Sequence, residues 1–262
     1  MAIDRTNYNK VWLNLHDPPE DYDDFDSFIL KEKKESRKII KKALSDAIIF
    51  HHTPDRTFKK IEKSLEDLEY KKIASKISTY MPKSDKVKKG NFGEVISAEY
   101  LCQEKSYEMP VFKLKYSHNL NMPSHGQDIV SFQIKDDHIN LICIAEAKYS
   151  KKYDSGVIRK AHNQLKYLYE VNPSSLSLIE QVLSDKGEVT LCDQVANLNG
   201  DLALRDFPRH NWIFILTGNL HKDPFATLNR LKSVIPDLTV VNIYLPEIED
   251  FMNEIYRMCV GK

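Results

Sequence analysis

Through the first third of the chain apolar residues return at helical intervals, and beyond Gly90 they bunch into runs of strand length. Ile40, Leu44 and Ile48 stand at i, i+4 and i+8, with Ile39 and Ala43 beside them, which predicts an amphipathic helix over residues 28–50. Thr57 is placed to cap a second helix with the stripe Phe58, Ile61, Leu65, Leu68, Ile73 and Ile77, ended by Met81-Pro82. Residues 1–89 therefore read as an N-terminal helical segment that either docks a partner or covers the main domain.

Residues 90–262 read as that main domain. Gly90-Asn91-Phe92-Gly93-Glu94 begins or sits within a helix that carries Val95, Ile96, Ala98, Leu101 and Cys102. Strands are predicted at Val111–Tyr116, Asp128–Ile134 and Ile139–Lys148, the last two joined by a tight turn at Lys135–His138. A helix follows at Gly156–Val171, then a weakly patterned stretch, 173–208, read as a helix and an insertion. Asn211–Thr217 and Leu238–Tyr244 have the unbroken apolar content of buried strands, and Asp223–Val234 and Glu247–Val260 read as the helices after them. The order predicts an α/β fold: a mixed sheet between helices.

Composition changes this picture little. Lys plus Arg and Asp plus Glu number 38 each, so bulk charge advertises no nucleic-acid partner. The charges are clustered, however: residues 17–26 hold acids and no base, whereas 31–42, 83–89 and 148–166 are mainly basic. Such clusters either neutralise phosphates locally or are solvated helix faces. No run approaches the ~20 apolar residues of a membrane span, and Met-Ala-Ile-Asp-Arg lacks a signal peptide's apolar stretch, so a cytoplasmic location is expected. Cys102, Cys143, Cys192 and Cys259 lie far apart in apolar surroundings and read as reduced thiols.

The chemistry concentrates between Gly126 and Lys148. Glu146 and Lys148 are two residues apart at the end of Ile139-Asn140-Leu141-Ile142-Cys143-Ile144-Ala145, so on a strand they project from one face. A strand that apolar is buried, and buried charge costs several kcal/mol unless it is paired or bound to metal. With Asp128 at the head of the preceding strand, the arrangement suits a divalent cation held by carboxylates beside a lysine. That is a means of hydrolysing a phosphodiester, in which water must lose a proton near neutral pH and charge must be stabilised on phosphoryl oxygens. Surface salt bridges at strand ends are the alternative.

Gly-x-x-Gly-Glu ending at Glu94, Gly126-Gln127-Asp128, and Glu146-Ala147-Lys148 together resemble the PD-(D/E)XK nuclease superfamily. The resemblance implies a restriction-endonuclease-like mixed sheet flanked by helices, here with an N-terminal helical extension. It implies that Asp128, Glu146 and the backbone carbonyl of Ala147 bind Mg²⁺ or Mn²⁺, and that Glu94 reaches the ion directly or through water. Lys148 would orient the attacking water and stabilise charge on the phosphate. Gln164 stands where some relatives carry a glutamine followed four residues later by tyrosine; here Tyr167 comes at three and Leu168 at four. Within the superfamily, Gly-Asn-Phe-Gly-Glu, His-Gly-Gln-Asp and Ala-Glu-Ala-Lys-Tyr-Ser are similar to the HamA family of Hachiman anti-phage systems. That similarity implies a DNA-degrading effector held silent by a partner helicase, HamB, until the helicase engages DNA. Neutral net charge suits a nuclease that should not grip DNA while restrained.

Other residues have competing readings. His51-His52 answers the dipole at a helix end or binds metal. His125 touches phosphate or is a loop histidine. Tyr149, Lys151, Lys152, Arg159 and Lys160 are candidates to line a DNA groove. Glu99 reads as a helix-surface acid, although it exchanges roles with Glu94 if the helix phase differs. Asp17–Asp26 mimics phosphate in a basic groove or is an exposed acidic loop. Two rival functions share the sequence: a non-catalytic DNA- or helicase-binding module, and a structure-specific repair or junction nuclease.

Overall fold

A computed structural model describes residues 7–33, 35–66, 70–117, 119–122, 127–170, 174–200 and 207–261. Leu68, His125 and Gly126 lie outside the described residues. The core is a six-stranded mixed sheet in the order β1 (Leu13–His16), β2 (Asp26–Glu32), β6 (Leu238–Tyr244), β5 (Arg209–Thr217), β4 (His138–Ser150), β3 (Ile129–Lys135). β2, β6, β5 and β4 run parallel, and β1 and β3 close the two edges antiparallel.

Alternation along the strands feeds two cores, one on each face. Cys143, Ala145 and Ala147 of β4 and Phe214 of β5 face α2 (Arg37–His52), α5 (Asp85–Glu104) and α10 (Ile248–Cys259). Ile142 and Ile144 of β4 and Ile213 and Ile215 of β5 face α6 (Ser155–Glu170) and α7 (Ser175–Lys186). Both faces being covered, these strands have no polar side to show, which is why they read as continuous apolar runs. Asp136 and Asp137, with φ of 53° and 60°, make the tight β3–β4 turn, as predicted.

The N-terminal expectation needs correction. Residues 26–32 are a strand: Ile29 packs into one core and its neighbour Leu30 into the other, a period of two that a helical stripe cannot supply. β2 pairs with β6 in the register Phe28↔Val241 and Leu30↔Ile243, so residues 1–89 are not wholly helical, and Lys89 and Gly90 are consecutive residues inside α5. α2 begins at Arg37 and buries Ile40, Leu44 and Ile48 in the main core, against α10 and α5, so this helix covers the main domain. The predicted second helix is two, α3 (Asp55–Glu66) and α4 (Tyr70–Ser78); Thr57 lies within α3, its hydroxyl 3.3 Å from that of Tyr80.

Val111–Tyr116 is likewise no strand. Glu108 makes a single bridge to Phe132, and Lys113–Tyr116 is a 3-10 turn whose two lysines reach carboxylates on either side. Those ion pairs override the alternating pattern. The weakly patterned stretch forms α7 and α8 (Val189–Gly200), while the helix expected over 223–234 is confined to α9 (Ala226–Leu231). No disulfide joins the four cysteines, of which Cys143 and Cys259 are buried. Among the described residues no helix is long and apolar enough to cross a membrane.

Candidate active site

The site forms where the edge strand β3 gives out before its neighbour. Ile129 pairs with Ala145, so Asp128 falls opposite Glu146, just past the end of the ladder. The Ala147 N–H donates to Asp128 Oδ2 at 2.9 Å, a side chain replacing the backbone acceptor the strand no longer provides. Lys148 Nζ donates to Glu146 Oε1 and lies 3.5 Å from Asp128 Oδ2. Glu94 enters from α5, which runs close over β4: a Cβ at Gly93 would lie 4.0 Å from the Lys148 carbonyl carbon. Glycine is strictly required at Gly218, just after β5, where a Cβ would come within 2.6 Å of the Lys151 carbonyl oxygen.

Asp128, Glu146, Lys148 and Glu94 therefore stand together in space. A fifth group joins them that the sequence reading missed. Lys113 Nζ stands 3.6 Å from Glu94 Oε2 and 3.9 Å from Asp128 Oδ1 and donates to the Gln127 carbonyl at 2.6 Å. The clue was in the chain: charges interrupt the apolar run Val111–Tyr116 just as they interrupt β4. Gln164 is not brought in; it lies on the exposed face of α6, and no hydrogen bond joins it to the other site residues.

Burial sets the electrostatics. It pushes the Glu94 carboxyl up to about 8, with Lys113 opposing and Asp128 and Glu146 adding to the rise. Glu146 is raised for the same first reason, burial, and then by Asp128. Burial works against the Lys148 ammonium, but Asp128 and Glu146 outweigh it and hold its pKa above the ordinary range. The donors are hard oxygens, the kind Mg²⁺ and Mn²⁺ accept. Among the described residues no three His, Cys, Asp or Glu side chains stand close enough together to chelate one ion, because the two lysines lie between the carboxylates.

The HamA family profile matches residues 6–259. The chain belongs to the HamA family. It is 24% identical over 218 residues, 82% of this chain and 77% of the other, to the Hachiman protein HamA of Bacillus cereus.

The remaining candidates of this HamA-family chain fall into place around that centre. His51 and His52 are the last residues of α2 and both are buried, so neither serves an exposed helix end. Glu99 is buried too, not on a surface: His51 Nε2 donates to its Oε1 at 2.8 Å and Gln103 Nε2 to its Oε2 at 2.6 Å. Lys151 pairs with Glu249 of α10, as does Lys89. Lys152, Arg159 and Lys160 are exposed. The acidic stretch leads into Asp26, level with Thr239 of β6, Trp212 of β5 and so Ala145 of β4; it is set apart from Glu146 and Lys148 sideways, by the two strands β6 and β5.

Proposed function

We propose that this chain is a metal-dependent deoxyribonuclease of PD-(D/E)XK type, the effector of a Hachiman anti-phage system, restrained by a HamB-like helicase until DNA is sensed. The observation that carries the reading is the convergence of Glu94, Asp128, Glu146 and Lys148 where β3 ends beside β4. Three carboxylates face two ammoniums there, one negative charge in excess once all three ionise, and burial first, then the neighbouring carboxylates, raises the Glu94 and Glu146 carboxyls against that ionisation. That excess fits a dication. Asp128 and Glu146 would hold it, with the Ala147 carbonyl and Glu94 completing the set. Such an ion supplies a water acidic enough to attack at neutral pH and charge to stabilise the phosphoryl group. Lys148, fixed by Glu146 and Asp128, orients the water and faces the phosphate with a cation that does not titrate in the working range. The family membership and the relative named for the Hachiman system support the defence role.

The test is cleavage of supercoiled plasmid in Mg²⁺ and in EDTA by the wild type, Glu146→Ala and Lys148→Ala, with and without the helicase. The expected result is Mg²⁺-dependent cutting, suppressed by the helicase and lowered at least about a thousandfold by either substitution. Absence of cutting above the substituted proteins under every metal and partner condition would leave a DNA- or helicase-binding module. Selective cutting of branched DNA at low enzyme concentration would instead point to a junction nuclease.

A further inference from the structure

We infer that Lys113 is an internal counter-ion, filling the cation position between Glu94 and Asp128 until a divalent ion displaces it; the inference rests on the metal-site reading above. Three oxygens from separate positions surround its ammonium: the Gln127 carbonyl at 2.6 Å, Glu94 Oε2 at 3.6 Å and Asp128 Oδ1 at 3.9 Å. The side chain is only 10% exposed, so this is a buried cradle and not a surface pairing. An ammonium and a dication cannot share it. Mg²⁺ needs oxygens at about 2.0–2.1 Å, so Glu94 and Asp128 must close in on the ion, and a positive charge left between them would oppose that approach.

The placement of Lys113 is fixed from outside the site. Two residues on, Lys115 donates to Asp55 Oδ1 at 2.6 Å and lies 3.5 Å from the centre of the Phe50 ring. The 3-10 turn is thereby tied to the junction of α2 and α3, and the four-carbon stem of Lys113 is the part free to swing. Lys148 differs: it is bonded to Glu146 from the same strand and keeps that partner when the ion enters. Apo protein on this account is neutralised by its own lysines, and metal loading exchanges one of them.

The experiment is Mn²⁺ binding to the full chain by calorimetry, with no DNA and no turnover, for wild type, Lys113→Met, Lys113→Gln, Lys113→Arg and Asp128→Asn. Lys113→Met and Lys113→Gln are expected to bind Mn²⁺ about tenfold more tightly than wild type, and Lys113→Arg, which keeps the charge, within about twofold. Both neutral variants should also melt below wild type in EDTA and gain more from added Mn²⁺. Circular dichroism identifies which neutral variant folds, and either one suffices. A folded neutral variant that binds Mn²⁺ no more tightly than wild type overturns the inference while leaving the metal site standing. Wild type and Asp128→Asn binding Mn²⁺ equally, or not at all, would remove the metal-site reading itself, and Lys113 with it.

Discussion

Helix α5 buries two glutamates five residues apart, and their surroundings are opposites. Glu99 is 1% exposed and satisfied: one oxygen accepts from His51, the other from Gln103, whose own amide oxygen accepts from Asn9 at 2.9 Å. Glu94 is 8% exposed, its nearest cation is 3.6 Å away, and burial first, then two further carboxylates, raises its pKa. Burial alone thus does not mark a functional acid. A carboxylate whose lone pairs are filled at hydrogen-bond distance holds the fold together, whereas one whose partners stand back is poised for something else. Five residues are more than one helical turn, enough to place the two acids in different neighbourhoods.

The sharpest way to break this comparison is to remove each acid. Glu99→Ala is expected to cost about 3–4 kcal/mol in urea unfolding, because the buried His51 and the half-buried Gln103 each lose an acceptor. Glu94→Gln should have the opposite sign in EDTA. The folded carboxyl titrates at about 8 against an unfolded value near 4.5, so the folded state retains a proton the unfolded chain has released. Stability from that proton is complete below about pH 4.5 and lost as pH rises through 8. Glutamine cannot ionise, so the variant should gain on wild type as pH rises, by on the order of 4 kcal/mol at pH 8. An E94Q protein less stable than wild type at pH 8 would place both glutamates in the structural class.

The same contrast explains what the sequence could and could not reveal. β4, β5, β6 and α10 were legible because buried parallel strands and a one-sided helix leave strong periodic signals. Glu146 and Lys148 were legible because charge is out of place in such a run. Phe28-Ile29-Leu30 was misread because three consecutive apolar residues fit a helix as well as a strand, and only the pairing with β6, more than two hundred residues away in the chain, decides. Glu99 looked like a surface acid because nothing local discloses that His51 folds against it. Lys113 was hidden in a segment that alternates like a strand, and its 3-10 turn is held by tertiary ion pairs.

A smaller effect sharpens the comparison from the base side. His52 is buried and held neutral: its Nδ1–H donates to the Ile48 carbonyl at 2.8 Å, and its Nε2 accepts from the Asn91 amide at 2.9 Å, one turn of α5 before Glu94. Burial lowers its pKa to about 4, with His51 adding to the shift and the Ile48 hydrogen bond opposing it. An unfolded histidine titrates near 6.5, so from pH 6.5 down to 4 the unfolded chain takes up a proton that the folded one refuses. The stabilisation is complete above about pH 6.5 and declines as pH falls, by about 2 kcal/mol at pH 5. His52→Gln keeps an amide donor and an acceptor but has no proton to bind, so its stability should fall less than that of wild type between pH 7 and 5. The stability difference between the two proteins cancels what every other group contributes equally to both, Glu94 included. Parallel profiles would mean that His52 takes up its proton in the folded state. The Asn91 amide would then have to present its oxygen to Nε2, and His52 would belong with the groups that α5 leaves free to change charge.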